Sequence, residues 1–403
     1  MNVPKLRFKE FNDEWQSINL ANVFQYFATN SFSRDQLSES GILKNLHYGD
    51  IHKRYNSIVN ENDEIASYVK DINYDNKYEL LKNNDLIFAD ASEDYEGIGK
   101  AVEVVNVNNK TISGLHTILA RDNLNIFAPM FKGYYFNSPI VHNQLRVLAN
   151  GFKVYGISKD SINKLNIKVP STNEQSNIAN TLYLLDKKIE LQSKKIEDLK
   201  LFKKGLLISE FSNKEKKMQL DNILKKGKAG GTPKSTIQEY YNGKIPFLSI
   251  SDISSQNKYI EHTEKNISEL GLNNSSAWIV PKNSIILSMY ASYGLPCINK
   301  IKLATSQAMY SMIFNPDIDI EYIYYYLLYL QLIKYYDLLV STGTQPNLNA
   351  NKVNKIKIYC PSYNVQKKIS KIFITCDNKI LLEENKLNKL QELKKSLMQK
   401  MFI

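Results

Sequence analysis

Two stretches of the chain carry apolar residues at alternating steps of four and three. The first is marked by Ile178, Leu182, Leu185, Ile189, Ile196, Leu199 and Leu206, the second by Ile369, Phe373, Cys376, Ile380, Leu387, Leu390 and Leu397. That spacing is a heptad seam, whose residues keep facing a partner helix. Each predicts a rod of roughly 36 residues, about 54 Å long at about 1.5 Å per residue. Both seams are interrupted at equivalent places, by Gln192 and Glu383 and again by Lys203 and Lys394. A polar residue in a seam lowers stability but fixes register and orientation. Two such rods in one chain most simply pack against each other, and pseudo-twofold symmetry makes the pair an antiparallel coiled coil.

The pattern repeats in sequence as well as in period. Residues 162–211 align without a gap onto 353–402 at an offset of 191, with 18 of 50 positions identical. Each copy opens on an Asn-Lys pair, a short β-like run and a proline (Pro170, Pro361), then Ser171, Asn173, Gln175 and Ile178 against Ser362, Asn364, Gln366 and Ile369. The period is too long for a solenoid and fits two half-chains, each a domain followed by the same helix. The segments between the rods resemble each other weakly and in order. Leu20 to Phe24 matches Leu220 to Leu224, Leu46 to Ile51 echoes Leu248 to Ile253, and Asn84 to Ala89 echoes Asn283 to Ser288. Short β-branched runs between Gly, Asn and Asp predict strands and turns, with helical patches near 140–148 and 322–339. The fold class read from this is α+β: a first domain at 1–160, a spacer helix at 161–218, a second domain at 219–352 and a second spacer helix at 353–403.

Composition narrows the class. Of 403 residues, 43% are hydrophobic, enough for real cores. Cys297, Cys360 and Cys376 form no Cys-x-x-Cys pair, which argues against a disulfide scaffold or a thiolate zinc site. The most apolar stretch, 322–336, is too short to span a bilayer, and the N-terminal residues carry no signal-peptide pattern, so the expectation is a cytoplasmic protein without membrane contact. Catalytic signatures are missing. No Pro-Pro box stands where an amino-methyltransferase would hold its target amine, and neither 97–100 nor 230–234 has the spacing of a phosphate-wrapping Gly loop. The five histidines are scattered, with only His47 and His52 near each other, so no metal site is expected.

Other motifs carry a resemblance that covers essentially the whole chain. They are Leu6-Arg7-Phe8 through Glu14-Trp15, Gly230-Gly231-Thr232-Pro233-Lys234, Glu239-Tyr240-Tyr241-Asn242-Gly243-Lys244-Ile245-Pro246, and Thr342-Gly343-Thr344-Gln345 through Leu348 leading to Pro361 and Gln366. With the duplicated domain–helix layout, the chain resembles the specificity (S) subunit of type I restriction–modification systems. The first half matches less literally: 151–157 stands where 342–348 stands, and no Gly-Gly-Thr-Pro precedes it. The resemblance implies two target recognition domains, each reading one half of a bipartite target in double-stranded DNA, with the helices setting the unread spacer. It also implies docking of two methyltransferase subunits, further restriction and translocation subunits, and adenine methylation and cleavage carried out by those partners. S-adenosylmethionine, ATP and Mg2+ would then belong to the partners, with no cofactor on this chain. The competing readings are a protein-binding adaptor or an antagonist of a restriction complex, without DNA readout, and a fused restriction–methylation enzyme, disfavoured by the missing motifs.

Base readout needs donors and acceptors that reach a groove, with phosphate contacts to set position. The first domain offers Arg34, the Lys53-Arg54-Tyr55 loop, Ser92, Tyr95, Lys100 and His116; the second offers Tyr290, Ser292, Tyr293, Thr305 and Gln307. Gly231, Thr232, Lys234, Thr344 and Gln345 add small hydroxyls and backbone amides suited to phosphates. The charge is unevenly placed. The net +11 divides into −3 over 1–160, +5 over 161–219, +2 over 220–352 and +7 over 353–403. The surplus therefore lies on the helices, and the candidate recognition domains are close to neutral.

Overall fold

In the computed structural model the chain divides into two compact units, residues 1–193 with 385–403, and residues 194–384. The structure describes all residues except 1, 2, 64, 65, 71–77, 150, 152, 153, 213, 291 and 341–346. Each unit contains one α+β domain and a segment from each of two long helices, Thr172–Phe211 and Tyr363–Lys400.

The long helices match the heptad reading. Ile178, Leu182, Leu185, Ile196, Ile369, Phe373, Ile380 and Glu383 are buried, while Ile189, Gln192, Leu199, Cys376, Leu387 and Leu390 are half-buried. None of the predicted pairing residues faces open solvent. Direction follows from the ion pairs. Asp186 meets Lys394 at 2.5 Å in the first unit; in the second, Lys203 meets Asp377, Lys200 meets Glu384 at 2.7 Å and Lys195 meets Glu383 at 3.2 Å. From the Lys195–Glu383 pair to the Lys203–Asp377 pair, residue number rises along one helix and falls along the other, so in the second unit the segments run antiparallel. Three of the four seam interruptions, Glu383, Lys203 and Lys394, are thus ion-paired: Glu383, fully buried, also takes Lys379 at 3.1 Å.

The repeated proline and glutamine have a structural reason. Gln175 donates to the carbonyl of Pro170 at 3.0 Å and accepts from the amide of Ala128 at 2.8 Å. Gln366 does the same with Pro361 at 2.7 Å and Asp319 at 2.8 Å. Each glutamine therefore ties the start of its helix to the preceding domain, and positions 128 and 319 carry the offset of 191 well upstream of the visible repeat. In the first unit the Arg7–Trp15 motif adds a further tie. Arg7 pairs with buried Glu174 at 2.7 Å, the Trp15 ring is buried beside it, and the Leu6 amide donates to Lys400.

The two domains repeat one topology. In the first, a five-stranded sheet runs in the order Phe24–Phe27, Thr117–Asp122, Leu86–Ala89, Ala101–Val105, Ile58–Asn60. In the second, the order Leu224–Ala229, Met309–Phe314, Ile285–Ser288, Pro296–Asn299, Tyr259–Ile260 is the same. All neighbours are antiparallel except the last pair, which is parallel in both. A second, smaller sheet accompanies each, four-stranded in the first domain and three-stranded in the second. Asn84 and Asn283, matched from sequence, both have positive φ (68° and 58°) at the turn entering the central strand, a conformation that asparagine tolerates better than most residues.

One layer of the core differs. In the first domain Glu103 and Lys132 are 0% and 1% exposed and pair at 3.4 Å, and Glu103 also accepts from the amides of Met130 and Gly133. Strand register and the offset of 191 place Ile298 and Ile323 at the equivalent positions of the second domain, where Asp319 caps its own helix by accepting from Tyr322 at 2.8 Å.

Candidate nucleic-acid interface

In the first domain the exposed candidates gather around the short helix Tyr48–Lys53. His47 caps it, its Nδ1 accepting from Gly49 at 3.1 Å. Asp50, on the helix and buried, holds Arg34 at 3.2 Å and Arg54 at 3.7 Å. Both guanidinium groups remain more than half exposed, at 57% and 52%, so Asp50 orients two forks whose donors still face outward. Such a fork is the geometry that meets guanine edges or phosphates. The Tyr48 ring lies 4.6 Å from His47, 6.3 Å from His52 and 5.3 Å from His116. His116, at φ 54°, is exposed and its Nδ1 lies 3.3 Å from Asp90. Burial pushes the Asp90 carboxyl above the usual range, with His116 opposing. The His47 imidazole is held below its ordinary value by burial and by the Arg34 charge.

Tyr95 is exposed and packs under the Arg146 guanidinium at 5.4 Å. Lys53 is exposed as well. Three candidates of this domain are placed differently from the sequence reading. Tyr55 is a buried core residue, Ser92 is buried in the strand Ala91–Ser92, and Lys100 is half-buried with its Nζ donated to the carbonyl of His52 at 3.1 Å. Burial, then the charge of Lys394, lowers the Lys100 ammonium. Alternation along a strand turns Ser92 inward, and the helix end turns Tyr55 into the core; neither direction was legible from a loop-like composition.

In the second domain Gln307 and Ser292 are exposed and Tyr290 is 39% exposed. Tyr293 donates to Asp337 at 2.9 Å. Thr305 is fully buried, a correction to its candidacy. The Gly-Gly-Thr-Pro loop is built for packing. The Gly230 amide donates to Met309 and the Gly231 amide to Thr305 at 3.0 Å, so neither remains to bind a phosphate. A Cβ at Gly230 would collide with the carbonyls of Thr305 and Ser306, and one at Gly231 with the backbone of Ala277. Gly230→Ala is therefore expected to lower stability by about 1–3 kcal/mol, as overpacking does, read as a lower urea midpoint of the intact chain. Only the exposed side chains of Thr232 and Lys234 face outward from this loop. Thr344 and Gln345 lie outside the described residues.

Sequence reasoning missed Tyr48, the hub of the first domain's cluster; its spacing of four from His52 on a helix was the available signal. The equivalent helix of the second domain is Ile250–Gln256, where the Asp252 carboxylate accepts from the backbone amide of the N-cap residue Ser249 at 2.7 Å and from that of Glu264 at 2.9 Å. The two domains thus keep one frame, a buried aspartate on a short helix beside a turn, and present different exposed side chains on it. Among the described residues no group of three or more His, Cys, Asp or Glu could hold a metal ion, and no helix is long and apolar enough to cross a membrane.

Comparison with known proteins bears on what this frame is. The chain is 31% identical over 158 residues to the type I restriction enzyme MjaIX specificity subunit of Methanocaldococcus jannaschii, and 34% identical over 170 residues to the HindI specificity subunit of Haemophilus influenzae. These matches take in 39% and 41% of this chain and 36% of each relative, so the chain aligns with about a third of their length. Over its full length, its fold is similar to the crystal structure of the type I restriction–modification S subunit from M. genitalium, with a TM-score of 0.59 at 18% identity and 99% of that chain covered. The profile of the type I restriction modification DNA specificity domain matches twice, at residues 12–201 and 213–392. The chain therefore belongs to the type I restriction–modification DNA specificity family and carries two copies of its domain.

Proposed function

We propose that the chain is the DNA-reading, non-catalytic subunit of a type I restriction–modification complex. One observation carries the reading: two domains share topology, turns and a buried aspartate, yet expose different side chains at the same place. A frame kept constant while its outward groups change is what two different half-sites require. In the first domain Arg34, Arg54 and His116 would supply donors to base edges or phosphates; in the second, Gln307 has the bidentate amide that suits adenine. The domains at 1–160 and 219–352 would each read one half-site, and the segments at 161–218 and 353–403 would set the spacer.

The partners follow the same logic. Leu191 and Leu382, equivalent across the repeat, are 69% and 49% exposed on the long helices. Exposed leucines at matching places suit the docking of two copies of one partner, the methyltransferase subunits, with restriction subunits joining them. Adenine methylation, S-adenosylmethionine, ATP and Mg2+ would belong to those partners, and the complex would work in the cytoplasm. The near-neutral recognition domains fit this division, because much of the nonspecific phosphate attraction is then left to partner surfaces.

Replacing residues 17–160 by the corresponding segment of another specificity subunit is expected to change one half-site and leave the other intact. Methylation sequencing of DNA from cells expressing the chimaera with the methyltransferase reads this directly. A change in both half-sites, or in neither, would contradict the assignment.

A further inference from the structure

We propose that Asp186 and Asp377 are positioning residues that lock each recognition domain onto its own helix pair, in the orientation required for one fixed spacer length; the proposal rests on the specificity-subunit reading. In the first unit Asp186 takes Lys394 from the antiparallel helix on Oδ1 at 2.5 Å, and the Tyr134 hydroxyl of the recognition domain on Oδ2 at 3.0 Å. In the second unit Asp377 takes Lys203 on Oδ1 and the Tyr325 hydroxyl on Oδ2 at 2.6 Å. All three members are related by the same offset of 191. One carboxylate thus joins three elements in each unit: its own helix, the opposing helix and the domain.

The surroundings say why this joint determines orientation. Beyond the hydrogen bonds of Gln175 and Gln366 and the Arg7–Glu174 pair at the helix starts, the domains meet the helices through apolar ring contacts, such as Phe402 on Phe131 at 5.9 Å and Phe211 on Tyr322 at 5.6 Å. Ring contacts of this kind are satisfied by several offset or edge-on arrangements that differ little in energy. A carboxylate that receives an ammonium on one oxygen and a phenol on the other sets both distance and direction. Around it the sequence has drifted: Glu103 and Lys132 of one unit stand where Ile298 and Ile323 stand in the other. The triad has not changed.

The two joints differ in support. In the second unit Lys258 reaches Glu321 at 2.6 Å, donates to the Tyr325 hydroxyl at 2.7 Å and lies 3.8 Å from Asp377. In the first unit strand register places Ser57 at that position, lining a cavity of about 330 Å3 together with Lys100 and Lys394. The first unit's triad therefore lacks the lysine that supports the second, and is the more sensitive of the two.

The test uses the full chain assembled with its methyltransferase subunits on its own target, carried with the natural spacer and with one base pair added or removed. One step moves a half-site by about 3.4 Å, and misplacing a reacting group by an ångström costs on the order of a hundredfold in rate. The wild-type complex is thus expected to prefer its natural spacer by about a hundredfold. Asp186→Asn is expected to reduce that preference to about tenfold or less, and Asp377→Asn to reduce it by a smaller factor. Tyr134→Phe, which removes only the hydroxyl, should relax it in the same direction, and Lys394→Arg, which keeps a cation on Asp186, should retain it. A purely structural role would lower the rate on all three spacers equally and leave their ratio unchanged; that result, or an unaltered ratio in both aspartate variants, overturns the proposal. A wild-type complex without any spacer preference would instead overturn the specificity-subunit reading on which it rests.

Discussion

Lys132→Ile is expected to lower the stability of the first unit by about 3–5 kcal/mol, because it leaves Glu103 buried without its cation. Glu103 is fully buried, and its carboxyl is already pushed up by burial, with Lys132 and the amides of Gly133 and Met130 opposing. A carboxyl raised in the folded state from its ordinary value of 4.5 binds more protons folded than unfolded. Stability is then greatest at acid pH and falls as pH rises from 4.5 through the folded value. Removing Lys132 raises that folded value further. The gap between variant and wild type should therefore be widest at neutral pH and narrow as pH is lowered. Differential scanning calorimetry at several pH values reads both the loss, on the order of 10 °C at neutral pH, and its narrowing. The second unit supplies the rescue. Glu103→Ile and Lys132→Ile with Ala128→Asp copy the arrangement of Ile298, Ile323 and Asp319, replacing a buried pair with apolar contact and a helix with its own cap. The triple variant is expected to recover most of the loss, as hydrophobic replacement of a buried ion pair commonly does. Failure of the triple variant to exceed Lys132→Ile would show that the two domains are not interchangeable at this layer.

The second large effect concerns the spacer. Deleting residues 189–195 together with 380–386 removes one heptad from each long helix, at positions equivalent across the repeat. Both deletions fall between the Asp186–Lys394 and Lys203–Asp377 pairs, so each helix loses the same seven residues between two fixed contacts and the pairing register survives. Seven residues are about 10.5 Å of helix, close to three steps of about 3.4 Å along DNA. The complex assembled on the variant should methylate a target whose half-sites are unchanged and whose spacer is about three base pairs shorter. An unaltered spacer would mean that the helices are not the ruler. Deleting only one of the two heptads shifts every contact beyond it and should abolish the activity of the assembled complex.

The repeat, the heptad seam and the order of elements could be read from the sequence because helices impose a period and the two copies keep it. Ile178 and Ile369 announce themselves in that way. The triads were nearly legible: Asp186 matches Asp377, and Lys203 matches Lys394, as identical pairs. What was missing was direction. Only when the helices run antiparallel does the lysine of one reach the aspartate of the other, and the interruption at Lys203 becomes a partner of Asp377. The recognition surface was less accessible. Tyr55, Ser92 and Thr305 share residue type and setting with the exposed candidates; strand register turns Ser92 and Thr305 inward, and the end of a short helix does so for Tyr55. The Gly230–Lys234 segment offered backbone amides suited to a phosphate, whereas the amides of Gly230 and Gly231 close hydrogen bonds within the domain.

The most direct test of the account is to express the chain with the methyltransferase of its system in a host lacking adenine methylation, and to map modified bases across the genome. The account predicts one motif of two half-sites separated by a spacer of fixed length and unspecified sequence, absent when the chain is omitted. A continuous motif, or the same methylation without the chain, would contradict it.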